Sequence, residues 1–246
     1  MKRILLTLLI CCSAMFAEQP NGNNLLNKMI KLMNQKNAKA VMIQTIQTSS
    51  GDKRTFEYDS YMGMSGENSL MRYRKPSRVK GNAILMTDHS DNIWMYNQRT
   101  RRVRKLASHA KKQKFEGSDF TYEDMGSGDS WKNDYTPKYL EKTKVENEQC
   151  YKIKLSKKNK DISYSKLICY LRVKDFFPIQ IDYYGEDGEL LKTLYMKNIK
   201  KVEKILTPMK MIMENHKDNT QTVMEYKSIT YDVEFNKRFF TENNLK

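Results

Sequence analysis

Apolar residues recur at helical spacing once, near the start of the chain, and at strand spacing almost everywhere after it. Leu25, Leu26, Met29, Ile30 and Met33 follow a period close to 3.6, with Asn27, Lys28, Lys31 and Asn34 on the other side. This predicts one amphipathic helix of three to four turns, with Asn23 or Asn24 as its N-cap. Such a helix either simply covers a sheet or acts as a lid with an apolar underside.

From residue 40 the period changes to two. AVMIQTIQT, RTFEYDSYMGM, NSLMRYR, GNAILMTD and DNIWMYN read as short strands, parted by turn signals such as Ser49-Ser50-Gly51-Asp52 and Asp91-Asn92. Residues 99–106 extend the series as a weaker strand carrying Val103 and Leu106. Residues 117–125 predict a short helical turn capped by Ser118 or Asp119, and residues 126–139 a loop. The second half repeats the meander through KYLEKTKVE, CYKIKLS, SKLICYLRVK, a hairpin from Pro178 to Val202, PMKMIMEN and TVMEYKSITYDVEF. Its turn, Glu186-Asp187-Gly188, sets Ile179, Ile181 and Tyr183 against Leu191, Thr193 and Tyr195. No long helical segment interrupts either meander, which argues against parallel βαβ organisation. The expected fold is mainly β (α+β): one large, strongly curved antiparallel sheet in a single domain spanning residues 18–246.

The first residues do not belong to that pattern. Lys2 and Arg3 precede an apolar run from Ile4 to Phe16, and Ala17 is small, the layout of a secretory signal peptide over residues 1–17. Met15 fits the −3 position poorly, so cleavage after Ala14 competes with cleavage after Ala17. Cys11 and Cys12 raise a lipoprotein reading, which Ile10 disfavours because lipid attachment wants a small residue before the cysteine. Export places the protein in an oxidising envelope compartment, the periplasm. Without Lys2 and Arg3, 42 basic residues face 29 acidic ones, about +13. A basic chain normally points to nucleic acid; export turns the expectation toward anionic lipid headgroups, with transient membrane-surface contact. Cys150 and Cys169 lie symmetrically about the polar loop SKKNKDIS, so a cross-strand disulfide competes with two buried free thiols.

The sequence carries no catalytic or cofactor signature. His89, His109 and His216 are scattered without metal-ligand spacing, Gly63-Met64-Ser65-Gly66 does not match a nucleophile elbow, and no P-loop or dinucleotide fingerprint occurs. The reading is a non-enzyme with no metal and no cofactor.

The chain does carry adaptable apolar side chains. Fourteen of its 16 methionines follow the leader, and methionine suits surfaces that fit variable apolar ligands as well as ordinary cores. Met62, Met64, Met209, Met211 and Met213, together with Phe56, Tyr58, Trp94, Tyr96, Phe120 and Tyr122, are the candidates for a greasy concave face. Beside them, Arg99, Arg101, Arg102, Arg104 and Lys105 open a basic run that is either a solvated face or a rim for phosphates or an acidic partner. Arg102 and Arg104 flank Val103 and share one side of a strand.

The order W-M-Y-N-x-R-T-R-R-V-R-K-L from Trp94, followed by G-S-D-F-T-Y-E-D-M from Gly117, resembles the LolA-like outer-membrane lipoprotein-sorting proteins of the broader LolA/LolB-like superfamily. Cys150-Tyr151 leading a strand, Pro178–Tyr184 followed by Gly185–Leu194, and Phe240-Thr241 agree with it. The resemblance covers most of residues 24–246; Gln98 departs from it, standing where a W-x-Y-x-P pattern has proline. It implies a half-open β-barrel whose concave apolar side is closed by a few helices. It further implies a periplasmic, monomeric carrier or chaperone that shields acyl chains of lipoproteins or other lipids during transfer toward an outer-membrane acceptor. A second reading is an accessory protein of an envelope transporter, such as an RND-type exporter, docking through the Arg-rich rim.

Overall fold

The computed structural model describes residues 19–33, 37–63, 67–126, 130–236 and 238–246. Residues 1–17 and Met64, and with them the leader and one cavity candidate, lie outside the described residues. Helix α1 (Gly22–Met33) buries Leu25, Leu26, Met29 and Ile30. Its cap is Asn21, whose Oδ1 accepts from the backbone N–H groups of Asn23 and Asn24. Full burial of four such side chains contributes roughly 1.5–3 kcal/mol each as an upper bound.

The strands follow the predicted meanders. The first comprises β1 (Ala38–Gln47), β2 (Lys53–Gly63), β3 (Asn68–Lys75), β4 (Ala83–Thr87), β5 (Asn92–Asn97) and β6 (Arg102–Lys105). The second comprises β7 (Tyr135–Val145), β8 (Glu148–Lys157), β9 (Lys166–Arg172), β10 (Pro178–Tyr184), β11 (Leu190–Val202), β12 (Ile205–Asn215) and β13 (Thr220–Tyr231). All lie in one antiparallel sheet ordered β6-β5-β4-β3-β2-β1-β13-β12-β11-β10-β9-β8-β7. Pairing of β1 with β13 joins the two meanders. The sheet stays open, with β6 at one edge and β7 at the other.

That order has a topological consequence. β6 and β7 are consecutive in sequence yet lie at opposite edges, so the segment that joins them must cross the sheet. Its described parts, the short helical turns at 108–112 and 115–117, helix α2 (Tyr122–Gly126) and helix α3 (Ser130–Asp134), lie against the apolar face. Gly126 lies so close to the sheet side that a Cβ there would come within 2.7 Å of the His89 backbone.

Two expected registers are corrected. A bulge between Tyr183 and Tyr184 shifts β10 against β11 by one residue, so Ile181 faces Leu194 and not Thr193. This slip brings Ile181 and Leu194 to one face. In the β8–β9 hairpin, Ile153 faces Cys169 and Cys150 faces Arg172. The two cysteines are three residues out of register, and both are free and buried.

Candidate lipid-accepting face

Register makes the apolar face legible row by row. Ile153, Cys169, Ile181, Leu194, Met213, Thr222 and Ile46 form one line across seven strands. Beside it runs Met196, Met211, Met224, Gln44 and Phe56. The next rows are Tyr226, Met42, Tyr58 and Tyr73, then Ala40, Ser60, Met71, Ile84, Met95 and Arg104. Most of these side chains belong to one continuous core shared with α1 and with Phe115, Phe120, Tyr122 and Trp131 of the crossover. Methionine is thus concentrated on the covered face.

The crossover is held there by polar anchors on either side of its aromatics. Asp119 accepts hydrogen bonds from the hydroxyls of Thr222, at 2.7 Å, and Thr220. Its backbone N–H donates to Thr222 Oγ1 at 2.9 Å. Five residues on, Asp124 Oδ2 accepts from Lys192 Nζ at 2.5 Å, and Asp124 Oδ1 accepts from the Tyr164 hydroxyl at 2.9 Å. The Lys192–Asp124 pair is almost fully buried. Lys192 also sits over the rings of Tyr164 and Tyr183. Thr121 and Asp124 cap the start of α2 reciprocally, Thr121 N–H to Asp124 Oδ2 and Asp124 N–H to Thr121 Oγ1; the cap is therefore Thr121, not Ser118 or Asp119. Between the anchors, Phe120 and Tyr122 point into the core, with Tyr122 edge-on to Phe115. The GSDFTYED segment is an apolar plug with polar fastenings.

The cavity candidates from sequence are divided by the structure. Phe56, Tyr58, Phe120, Tyr122 and Met213 are buried together, and Met211 packs against them half-buried. Met62 and Met209 are half-buried. Trp94 and Tyr96 lie on the opposite face: Trp94 pairs with Leu85 and Lys105, and Tyr96 with Ala83 and Val103. There they join Leu70 and Leu245 under the C-terminal Phe239 and Phe240, while Arg72 donates to the carbonyls of Asn244 and Leu245. Both faces of β4 and β5 are apolar because both are covered, so alternation alone could not say which face Trp94 takes.

The basic run is divided as well. Arg102 and Arg104 share the crossover side of β6, whereas Lys105 sits over the Trp94 ring on the other side, and Arg99 and Arg101 occupy the exposed β5–β6 turn. Arg102 and Arg104 flank a cleft of about 550 Å³ between the ends of β3–β6 and the 115–117 turn, lined also by Tyr73, Ile84, Met95 and Glu116. This is a volume typical of small-molecule sites. Burial raises the Glu116 carboxyl above its ordinary range, opposed in part by a hydrogen bond with Tyr122. Burial likewise pushes the phenols of Tyr73 and Tyr122 upward, so both stay protonated. Among the described residues no group of three or more His, Cys, Asp or Glu is placed to hold a metal ion, and no helix is long and apolar enough to cross a membrane.

Gln44, Thr222, Lys192, Trp131 and Glu116 also belong to this face or its fastenings, and, Gln44 apart, the residue pattern alone does not mark them. Gln44 had a signal: it is the polar exception in the apolar alternation Ala40, Met42, Gln44, Ile46.

Solved structures share this fold over nearly the whole chain. A DUF1329 family protein from Desulfovibrio piger superposes with a TM-score of 0.82 at 23% identity, covering 92% of this chain and 98% of its own. A putative outer membrane lipoprotein-sorting protein domain from Vibrio parahaemolyticus gives 0.79 at 22% identity, covering 91% and 97%. A LolA superfamily protein from Nitrosomonas europaea gives 0.75 at 20% identity, covering 92% and 99%. The fold is LolA-like, as the resemblance implied. A family model described as an uncharacterized protein matches residues 65–246, and the chain belongs to that family. No curated protein sequence matches the chain.

Proposed function

We propose that the protein is a periplasmic carrier that shields acyl chains of lipoproteins or other lipids on its covered face during transfer toward the outer membrane. The observation that carries this reading is the crossover plug. A broad, methionine-rich apolar surface is covered by a connecting segment whose own aromatics stand where a ligand's chains would lie. The solved neighbour from Vibrio parahaemolyticus, described as a putative lipoprotein-sorting domain, supports the same direction.

Plug and cargo are of comparable energetic size, so one can exchange for the other. Burying each methylene is worth about 0.8 kcal/mol, so one sixteen-carbon chain gains on the order of 12 kcal/mol. Releasing Phe115, Phe120 and Tyr122 forfeits roughly 1.5–3 kcal/mol each, and the Asp119 and Asp124 fastenings add to that cost. Without cargo the plug and α1 keep the face from water; with cargo, differential affinity between donor, carrier and acceptor drives transfer. Arg102 and Arg104 supply the charge for an anionic headgroup or a membrane surface. Neither nucleotide nor metal enters this scheme.

The test is delipidated protein titrated with a fluorescent fatty-acid analogue, paired with native mass spectrometry of protein released gently from its own envelope. Saturable binding and a retained lipid mass are expected. Protein that ignores the probe and emerges lipid-free overturns the reading.

A further inference from the structure

Gln44 stands near the centre of the covered face, between Met224 and Phe56 on the neighbouring strands. It is fully buried, and neither Oε1 nor Nε2 has a hydrogen-bond partner among the described residues. In the adjacent row Tyr58 and Tyr73 pack with ring centroids 5.6 Å apart. Both are buried, and both hydroxyls also lack a partner among the described residues. Buried polar groups are almost always satisfied, and leaving one unpaired is strongly unfavourable. Leucine at 44 and phenylalanine at 58 and 73 would fill the same space without that cost. Three unsatisfied residues together, on a face of apolar side chains with the Glu116 carboxyl near Tyr73, mark a place prepared for a polar group that arrives from outside.

The surroundings say what kind of group. Tyr73 is also a wall of the 550 Å³ cleft whose mouth carries Arg102 and Arg104, so the unsatisfied cluster lies inward of the cations. Burial keeps both phenols protonated, and with the Gln44 amide they offer hydrogen-bond donors without charge. A carboxylate or phosphate at that depth would lack a countercharge. A neutral carbonyl oxygen accepts from such donors and needs none.

We infer that Gln44, Tyr58 and Tyr73 form a hydrogen-bonding subsite for the ester or amide carbonyl oxygens that join acyl chains to their headgroup. This rests on the carrier reading and deepens it: the chains lie along the methionine rows, the linkage oxygens meet the cluster, and the anionic group remains near Arg102 and Arg104.

Two fluorescent probes with the same chains and phosphoglycerol headgroup separate the possibilities, one diacyl ester and one dialkyl ether without carbonyls. The native protein is expected to bind the ester about tenfold more tightly, the equivalent of one or two net hydrogen bonds. Gln44→Leu, Tyr58→Phe and Tyr73→Phe are expected to lose that preference while keeping the ether affinity. Their lipid-free forms should melt at the same or a higher temperature, because an unmet polar group has been removed. Equal binding of both probes by the native protein, or variants that keep the ester preference, overturns the subsite and leaves the carrier reading standing. A large fall in melting temperature for the lipid-free variants assigns these groups a structural role and also overturns it. If neither probe binds, the carrier reading fails and the subsite fails with it.

Discussion

Asp119 and Thr222 bind each other twice: the threonine hydroxyl donates to the carboxylate while accepting from the aspartate backbone N–H. Both residues are buried, 103 positions apart in the chain. Their contact fastens the crossover to the middle of the sheet. Asp119→Ala removes the acceptor for two hydroxyls and should lower stability by about 3–6 kcal/mol, given roughly 1.5–3 kcal/mol for each bond to a charged acceptor. Hydrogen exchange should accelerate chiefly over residues 106–126, with the strands little changed. Uniform acceleration across the sheet would falsify the assignment of Asp119 as a local fastening.

Lys192 and Asp124 form the second fastening, almost without solvent. Removing one partner strands a buried charge, so Lys192→Met or Asp124→Leu alone should each cost about 3–5 kcal/mol. The double variant should recover much of that loss, since a buried ion pair and an apolar pair of similar volume are nearly equivalent. Denaturant titrations of all four proteins measure the coupling, and additive losses would show that the two charges act independently.

Glu116 gives the cleft a pH dependence of known sign. Its folded-state affinity for protons is raised by burial, so its favourable contribution is present at low pH. That contribution is lost as pH rises from the ordinary glutamate range through the folded value. Glu116→Gln removes the term. The variant's stability advantage over the parent should grow with pH across that interval and then level off. Thermal melts of both proteins from pH 4 to 8 test this, and a constant difference counts against it.

Cys150 and Cys169 should remain thiols even in oxidising buffer. They are out of register, both are buried, and burial raises both thiols above their ordinary range. Alkylation mapped by peptide should be negligible at both positions in native protein and complete after unfolding. A linked peptide containing both residues in native protein would contradict the register.

Much of the fold was legible because two-residue alternation is a strong signal wherever one face of a strand is buried. The helix α1, both meanders and the hairpin around Glu186-Asp187-Gly188 all followed from it. What was not legible depended on long-range geometry. Pairing of β1 with β13 has no local signature, and it is this pairing that sets β6 and β7 at opposite edges of the sheet. The bulge at Tyr183–Tyr184 adds a single residue without a turn motif. For Trp94 and Tyr96, alternation placed both on one face, but the C-terminal Phe239, Phe240 and Leu245 determined which. The role of the GSDFTYED segment was half legible. Its alternating acids and aromatics announce one side fastened by polar bonds and one side buried, yet Thr222 and Lys192 could be named only once the strands were ordered.

Because the sheet stays open, β6 and β7 each lack a neighbouring strand on one side among the described residues, an invitation for another copy to add itself. Both edges answer in the same way. β6 is four residues long and carries Arg102, Arg104 and Lys105; β7 carries Pro137 and the exposed Lys138, Lys142 and Lys144. Any edge-to-edge approach between copies therefore brings cation against cation. The surplus of positive charge that first pointed to a polyanionic partner thus also opposes strand-by-strand addition of one copy to another.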